Sequence, residues 1–472
     1  MPVQRTYRKR RVVRRPTRPV RRKKVKVKRG NLLWLWLGFT AVAMSSAAAG
    51  AMLAVSLAST PLLQTELTPD EKSVFNQEET ISSNTMQLPE LTRPVNILFL
   101  GIKVLTSDLD KPPEVDLGYH ALVNSLEGLS DTMLLLRFDP EGEKVKVLSM
   151  PRDTKTRIEK HGNIKLNAAN YFGGPALTAK AVSDLLDDVA IDRYIRVNVQ
   201  GVEKLVDALG GVTVYIPKDM KYTDHSQHLY INLKKGRQHL NGEKAMQFLR
   251  FRYDKYGDIG RVQRQQMLMR ALVEQALKPS TIARIPQILS VIQSHIDTNL
   301  SVEELVALGG FATKTKRANV QMLMLPGRFS NDGKKQASYW LPNHRRIQQM
   351  VAQHFGQGYG YYSNANATSL RIAIQYTTDS SEVAKAMLRN LNRGGYQNVR
   401  IDQKLSREPL RTTRIIAQQG DDESAGTIRN YLGFGEVRVE STGAFSSDIT
   451  IQLGQDWLQK LGSQQQDSFS SF

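Results

Sequence analysis

Leu249–Gln266, reading LRFRYDKYGDIGRVQRQQ, gathers the residues best suited to handling an anion. Four arginines (Arg250, Arg252, Arg261, Arg264) stand with Asp254, Asp258, Gln265 and Gln266 around a glycine-flanked turn. In an extended segment Arg250 and Arg252 share one face, because strand side chains alternate. Beyond Gly260, Arg261 and Gln265 lie four apart and share a helical face, with Arg264 beside them. Guanidinium groups are planar forks of donors that match phosphate oxygens. The competing account is a surface web of salt bridges with the local acids.

Three further clusters precede this stretch. Gly128-Leu-Ser-Asp131-Thr sets an acid at the start of an apolar run, and Ser149-Met-Pro-Arg152-Asp153-Thr sets an Arg-Asp pair where another run ends. Asn163-Ile-Lys165-Leu-Asn167-Ala-Ala169-Asn170 adds a lysine after a turn. Charged residues at strand ends of an α/β fold line the crevice beyond the sheet edge, where ligands bind. Taken singly, each has an ordinary explanation: a strand-edge acid, a local ion pair, a solvated lysine.

The elements that must position these groups can be read from periodicity. Val95–Gly101 and Thr132–Phe138 are buried-strand runs, and Lys144–Met150 pairs with the second through the Asp139–Gly142 turn. Pro175–Asp188 carries a helical stripe, Arg193–Val199 reads as a strand, and Gly201–Leu209 as a helix stopped by Gly210-Gly211. Val212–Ile216 is again a strand, and Asn241 caps a helix from Gly242 to about Leu249. Helices at Arg261–Leu277, Ile282–Ile296 (with Pro286 inside) and Ser301–Leu308 follow, then a strand at Val320–Leu325. Interleaving of this kind predicts an α-β-α sandwich around a mixed central sheet. Five strands and two helices between residues 369 and 457 predict a small α/β C-terminal domain.

Composition sets the compartment. The 472 residues carry a formal charge of +20, yet fifteen of the 65 Lys/Arg and no acid fall in residues 1–30, leaving 50 basic against 45 acidic residues in the rest. There is no cysteine, which excludes disulfides, thiolate metal sites and a Cys nucleophile. Leu32–Leu63 carries no charge and is long enough to span a bilayer, with Trp34 and Trp36 at its basic edge. The positive flank places the N-terminus in the cytoplasm and the remainder outside; a cleaved signal peptide is the competing reading. The expected organisation is a basic cytoplasmic tail (1–30), a single transmembrane helix (32–58), a polar stalk (59–93), the main α/β domain (94–330), a connecting segment and linker (331–368), the C-terminal domain (369–457) and a disordered tail (458–472).

PRDT behind a hairpin, KLNAA shortly after it and RYDKYGDIGRVQRQQ further on resemble, in order and content, the LytR–CpsA–Psr family of cell-wall enzymes. The resemblance covers residues 94–330, and residues 369–457 resemble the small C-terminal domain of some members. It implies a plasma-membrane phosphotransferase with its catalytic domain outside the cytoplasm. Such an enzyme moves a glycopolymer from a polyprenyl-pyrophosphate carrier to a peptidoglycan sugar hydroxyl, with Mg2+ (or Mn2+) and an apolar slot for the prenyl chain. By motif position Asp131 matches the metal-holding acid, with Asp116 a second metal contact. Arg152 and Asp153 match the PRD pair, and Arg252, Arg261 and Gln265 match the pyrophosphate-binding group, to which Arg250 and Lys165 are additions. Asp258 matches the acid of the last motif. Two positions depart from the family pattern: Lys103 stands where members often have Asp, and Leu129 where many have Arg. A carboxylate near the acceptor hydroxyl can serve as general base, either Asp258 or Asp153. The stripes of Ala176–Leu186 and Val202–Leu209 serve equally as slot lining or as core. Other classes are a polyprenyl-pyrophosphate hydrolase, a nucleic-acid-binding regulator and a non-catalytic wall scaffold. No nucleic acid is expected as partner, since the span separates the basic tail from the folded domain.

Overall fold

Alternation along the strands sets the architecture of this computed structural model. It describes residues 62–76, 81–82, 89–104, 125–225, 229–251, 257–276, 278–316, 319–330, 339–356, 369–377, 381–405, 409–440, 442–444 and 447–469. The sheet strands are β1 (Val95–Lys103), β2 (Leu129–Asp139) and β3 (Lys144–Met150), followed, after the small β4–β5 hairpin (Lys155–Ile158, Gly162–Lys165), by β6 (Arg193–Asn198). In β2, Met133 and Leu135 face one apolar cluster while Leu134 and Leu136 face others, so the sheet is buried on both sides. The short helix α1 (Pro69–Ser73) precedes the sheet, and on the first face lie α2 (Ala169–Leu185), through Ala176, Ala179, Val182 and Leu185, and a late helix that contributes Ile347, Met350, Val351 and Phe355. Both helical stripes singled out above are therefore core: that of α2 lies here, and Val206 of α3 (Val199–Ala208) lies in a second cluster formed with β7 (Val212–Ile216) and its neighbours.

Chain order continues through β8 (Met220–Asp224), β9 (Leu229–Leu233), β10 (Gly236–Leu240), α4 (Gly242–Arg250) and α5 (Gly257–Ala276). Asn241 caps α4 as expected, accepting the Lys244 N–H at 3.1 Å. Arg250 is the last residue of α4, so the extended segment expected to pair it with Arg252 does not begin until Phe251. Arg252 and Asp116 lie outside the described residues. Pro286 does not sit inside a helix: a 3-10 turn at Pro279–Arg284 precedes α6 (Ile285–His295), leaving the proline in the first turn, where its missing N–H costs nothing. Then come β11 (Ile296–Thr298), α7 (Val302–Lys314), β12 (Val320–Met324), β13 (Gly327–Phe329), β14 (Trp340–Pro342) and α8 (His344–Phe355). The mixed six-stranded sheet has the order β11-β6-β1-β2-β3-β12. Parallel pairs are β1 with β6 and β3 with β12, and the others are antiparallel.

Three boundaries differ from expectation. The polar segment read as a stalk is, where described, packed on the domain: Leu67, Phe75 and Ile81 are buried, and Thr65 binds Asp297 through its N–H (2.7 Å) and hydroxyl (3.0 Å). The segment read as a connector supplies Trp340 and the apolar face of α8 to the main core. The expected disordered tail is helical to Phe469. The smaller domain holds β15 (Ile372–Tyr376), α9 (Glu382–Arg393), β16 (Val399–Lys404), β17 (Arg414–Ala417), α10 (Asp422–Leu432), β18 (Glu436–Arg438), β19 (Ile449–Gln452) and α11 (Gln455–Phe469), with sheet order β16-β15-β19-β17-β18. Among the described residues no helix is long and apolar enough to cross a membrane, and the run at 32–58 lies outside them.

Candidate active site

Asp131 owes its position to an irregularity in the sheet. Gly101 pairs with Thr132, and the next residue, Ile102, pairs with Ser130, so Asp131 is the extra residue of a β-bulge. A bulge re-aims one side chain without ending the strand. Gly101 permits it, since a Cβ there would lie 3.0 Å from the Thr132 Cβ.

Past β3 the chain turns sharply. Thr154 donates both its N–H (3.0 Å) and its hydroxyl (2.6 Å) to the Pro151 carbonyl, which folds Arg152 and Asp153 into a tight corner. The β4–β5 hairpin then returns the chain so that Lys165 arrives beside that corner, and the Asn167 N–H donates to the Arg152 carbonyl at 3.1 Å. Four charged groups meet here. Arg152 donates from Nη1 to Asp131 Oδ1 at 2.8 Å and from Nε to Asp153 Oδ2 at 3.4 Å, while Lys165 Nζ donates to Asp153 Oδ1 at 2.7 Å. Asp153 is buried, with a cation on each oxygen; Asp131, Arg152 and Lys165 are part-exposed. Such a chain of alternating charges fixes its cations in orientation while leaving them accessible to an incoming anion.

Helix α5 closes the site from above. Gln265 Nε2 donates to the Asp131 carbonyl at 3.2 Å, seating the helix on the bulge. Asp258 and Arg261 fall on the first two turns of α5, though their side chains are outside the described residues. Arg264 and Gln266, in contrast, are buried, and Arg264 donates to the Phe251 carbonyl and stacks 5.6 Å from that ring's centroid, a structural role. Beneath α5 a small gap of about 10 Å³, room for about one water, lies against the sheet, with Thr132, Met133, Met150, Gln265, Met269 and Met322 among its lining.

The sequence did not single out Tyr339 or Trp340, and it gave Asn170 no role within its motif. Tyr339 carries Lys165 Nζ 5.5 Å from its ring centroid, and the Trp340 N–H donates to the Asp153 carbonyl at 2.9 Å. Asn170 donates from Nδ2 to the carbonyls of Leu126 (3.1 Å) and Gly128 (2.7 Å), tying the strand that carries Asp131 to α2. An amide at the entrance of an otherwise apolar helix was the available signal for Asn170; for Tyr339 the sequence held none.

The divalent cation implied by the resemblance finds a partial donor set. Asp131 Oδ1 serves Arg152, and among the described residues no hydrogen bond takes Oδ2 of this part-exposed carboxylate. No group of three or more His, Cys, Asp or Glu capable of holding a metal occurs among those residues. One or two carboxylates completed by substrate phosphates and water suit Mg2+, which seldom uses an all-protein cage.

Residues 62–355 match the LytR_cpsA_psr family, and residues 369–457 match a domain described as LytR cell envelope-related transcriptional attenuator. The chain is 32% identical over 233 residues to the polyisoprenyl-teichoic acid–peptidoglycan teichoic acid transferase TagV of Bacillus subtilis, covering 47% of this chain and 55% of that one. Against the similarly named TagU of Bacillus cereus it is 31% identical over 268 residues, covering 56% and 78%. The crystal structure of B. subtilis TagV aligns with a TM-score of 0.46 at 27% identity, covering 57% of this chain and 99% of that one.

Proposed function

Because this chain belongs to the LytR_cpsA_psr family, we propose that it is a membrane-anchored, extracytoplasmic phosphotransferase that moves a glycopolymer from a polyprenyl-pyrophosphate carrier to a peptidoglycan sugar hydroxyl. The observation that carries the reading is the Asp131–Arg152–Asp153–Lys165 network with α5 seated on it through Gln265. Relatives named as teichoic acid transferases make teichoic acid the first polymer to test. The architecture we infer is an α-β-α sandwich on one N-terminal membrane helix, its orientation set by the basic tail.

In this reading the acceptor hydroxyl oxygen attacks the polymer-linked phosphorus. A phosphodiester to the wall sugar forms, the bond from that phosphorus to the bridging oxygen breaks, and polyprenyl phosphate leaves. Arg152 and Lys165, with Arg250, Arg252 and Arg261 from the arginine stretch, bind the pyrophosphate and stabilise the charge that grows on the leaving oxygen. Gln265 orients the head group. Asp153, occupied on both oxygens, acts by holding Arg152 and Lys165, which leaves Asp258 as the acid to take the hydroxyl proton. Asp131, with Asp116, would hold Mg2+, which when bound neutralises non-bridging phosphate oxygens.

Full-length protein in lipid nanodiscs, given lipid-linked teichoic acid and peptidoglycan oligomers, should release polyprenyl phosphate and form a covalent polymer–glycan conjugate. Arg152→Ala should lower conjugate formation by roughly a hundredfold or more. Release of polyprenyl phosphate with no conjugate would instead make the protein a hydrolase, and no turnover at all would leave a scaffold.

A further inference from the structure

The β4–β5 hairpin leaves the candidate site with two unlike faces. Its register pairs Lys155 with Lys165, Thr156 with Ile164, Arg157 with Asn163 and Ile158 with Gly162. Alternation therefore puts Thr156, Ile158 and Ile164 on one side and Lys155, Arg157, Asn163 and Lys165 on the other. The first side is packed: Ile158 is fully buried in the main core and Ile164 lies against it. Near the tip, the His161 ring stacks on Phe172 of α2 with centroids 3.9 Å apart. Held in both places, the hairpin presents its second side as a fixed surface, on which Lys155, Arg157 and Asn163 are exposed.

That surface starts at the site and carries charge of one sign. Lys165 is bonded to Asp153, and Lys155 stands directly opposite Lys165 across the strand pair. Like charges directly opposite one another destabilise a sheet. The Tyr339 ring attracts both ammonium groups, with Lys155 Nζ 5.6 Å and Lys165 Nζ 5.5 Å from its centroid, and so keeps them together. Arg157 follows on the same face, about 7 Å further out along the strand. Among the described residues no carboxylate pairs with Lys155 or Arg157. The hairpin's single acid, Glu159, sits in the turn, with Oε2 4.0 Å from Lys180 Nζ of α2. A row of cations with no acid between them, continuous with a pyrophosphate site, suits a chain of further phosphates.

We propose that the outer face of the hairpin is a subsite for the polymer, in which Lys155 and Arg157 bind phosphodiester groups of the repeat units next to the carrier pyrophosphate. The inference rests on the function proposed above and adds to it the class of polymer: one with phosphate in its repeats, not a neutral polysaccharide. A neutral chain gains nothing from Lys155 and Arg157, whereas phosphates of a charged one meet cations already held in place.

Calorimetric titration of the full chain in nanodiscs of zwitterionic lipid, with a synthetic glycerol phosphate oligomer and separately with inorganic pyrophosphate, tests this. Arg157→Gln should weaken the oligomer roughly fivefold and leave inorganic pyrophosphate within about twofold. Adding Lys155→Gln should bring the loss for the oligomer to roughly tenfold or more, and raised salt should shrink the difference from wild type. Both side chains are exposed, so the variants should keep the wild-type melting temperature. The exchange Lys155→Arg with Arg157→Lys preserves the charges and should hold oligomer affinity within about threefold of wild type. Unchanged oligomer affinity in the double glutamine variant, or equal weakening of both ligands, overturns the inference and leaves the proposed function intact. A monomeric short-chain phosphatidylglycerol that competes with the oligomer and binds as tightly would make the face a lipid headgroup contact, which overturns it too. Wild-type protein that does not bind inorganic pyrophosphate defeats the proposed function itself.

Discussion

At the scale of single residues the site depends on who holds whom. Asp153 is buried with Lys165 on one oxygen and Arg152 on the other, so its replacement should act through those cations. Asp153→Asn should lower kcat/KM for the carrier by roughly ten- to a hundredfold, mainly through KM, and leave the acid limb of the pH–rate profile in place. Disappearance of that limb would make Asp153 the base. The grouping of Asp131, Arg152, Asp153 and Lys165 was legible in the sequence because three of the four sit in short motifs whose turns are local. The bulge that aims Asp131 was not, since it depends on Gly101 approaching Thr132 across a strand pair. Tyr339 was equally hidden, because it reaches Lys165 from a segment with no motif of its own.

At the scale of elements, α5 is where the opening arginine stretch resolves into separate jobs. Period and spacing placed the helix correctly from Arg261 onward, and the structure starts it a turn earlier at Gly257. The same periodicity misjudged Arg250, which ends α4 as a helical residue. Arg264 belongs to the packing of this junction: it is buried, bonds the Phe251 carbonyl and lies over that ring. Arg264→Ala should therefore destabilise the protein by about 2 kcal/mol, through loss of a charged hydrogen bond and its stacking. Urea unfolding measures this. A variant with wild-type stability but lost pyrophosphate binding would move Arg264 from the packing to the clamp.

At the scale of the whole molecule, the seam between the two domains was invisible in the sequence, because its contacts join residues 170 positions apart, as between Arg270 and Glu440. Its charges make it sensitive to acid. Burial alone would raise the Glu440 carboxyl, but Arg270 and then Arg438 outweigh it and hold it at about 2. Asp448, bonded by Arg371 and Arg346 against the same burial penalty, is lowered as well. His354 on α8 is lowered chiefly by burial, with its Nε2 2.9 Å from the Gly420 carbonyl. All three bind fewer protons folded than unfolded, so each contributes stability above its unfolded pKa that is lost as pH falls. The loss should begin below about pH 6.5 with His354 and deepen below about pH 4.5 as the carboxylates titrate. For Glu440 the shift corresponds to on the order of 3 kcal/mol between about pH 4.5 and 2. Urea midpoints followed by intrinsic tryptophan fluorescence should fall more steeply through that window in wild type than in Glu440→Gln, which has no carboxylate to protonate. Parallel curves for the two proteins would show that the seam is held by Val439 and its backbone contacts, with the ion pair a bystander.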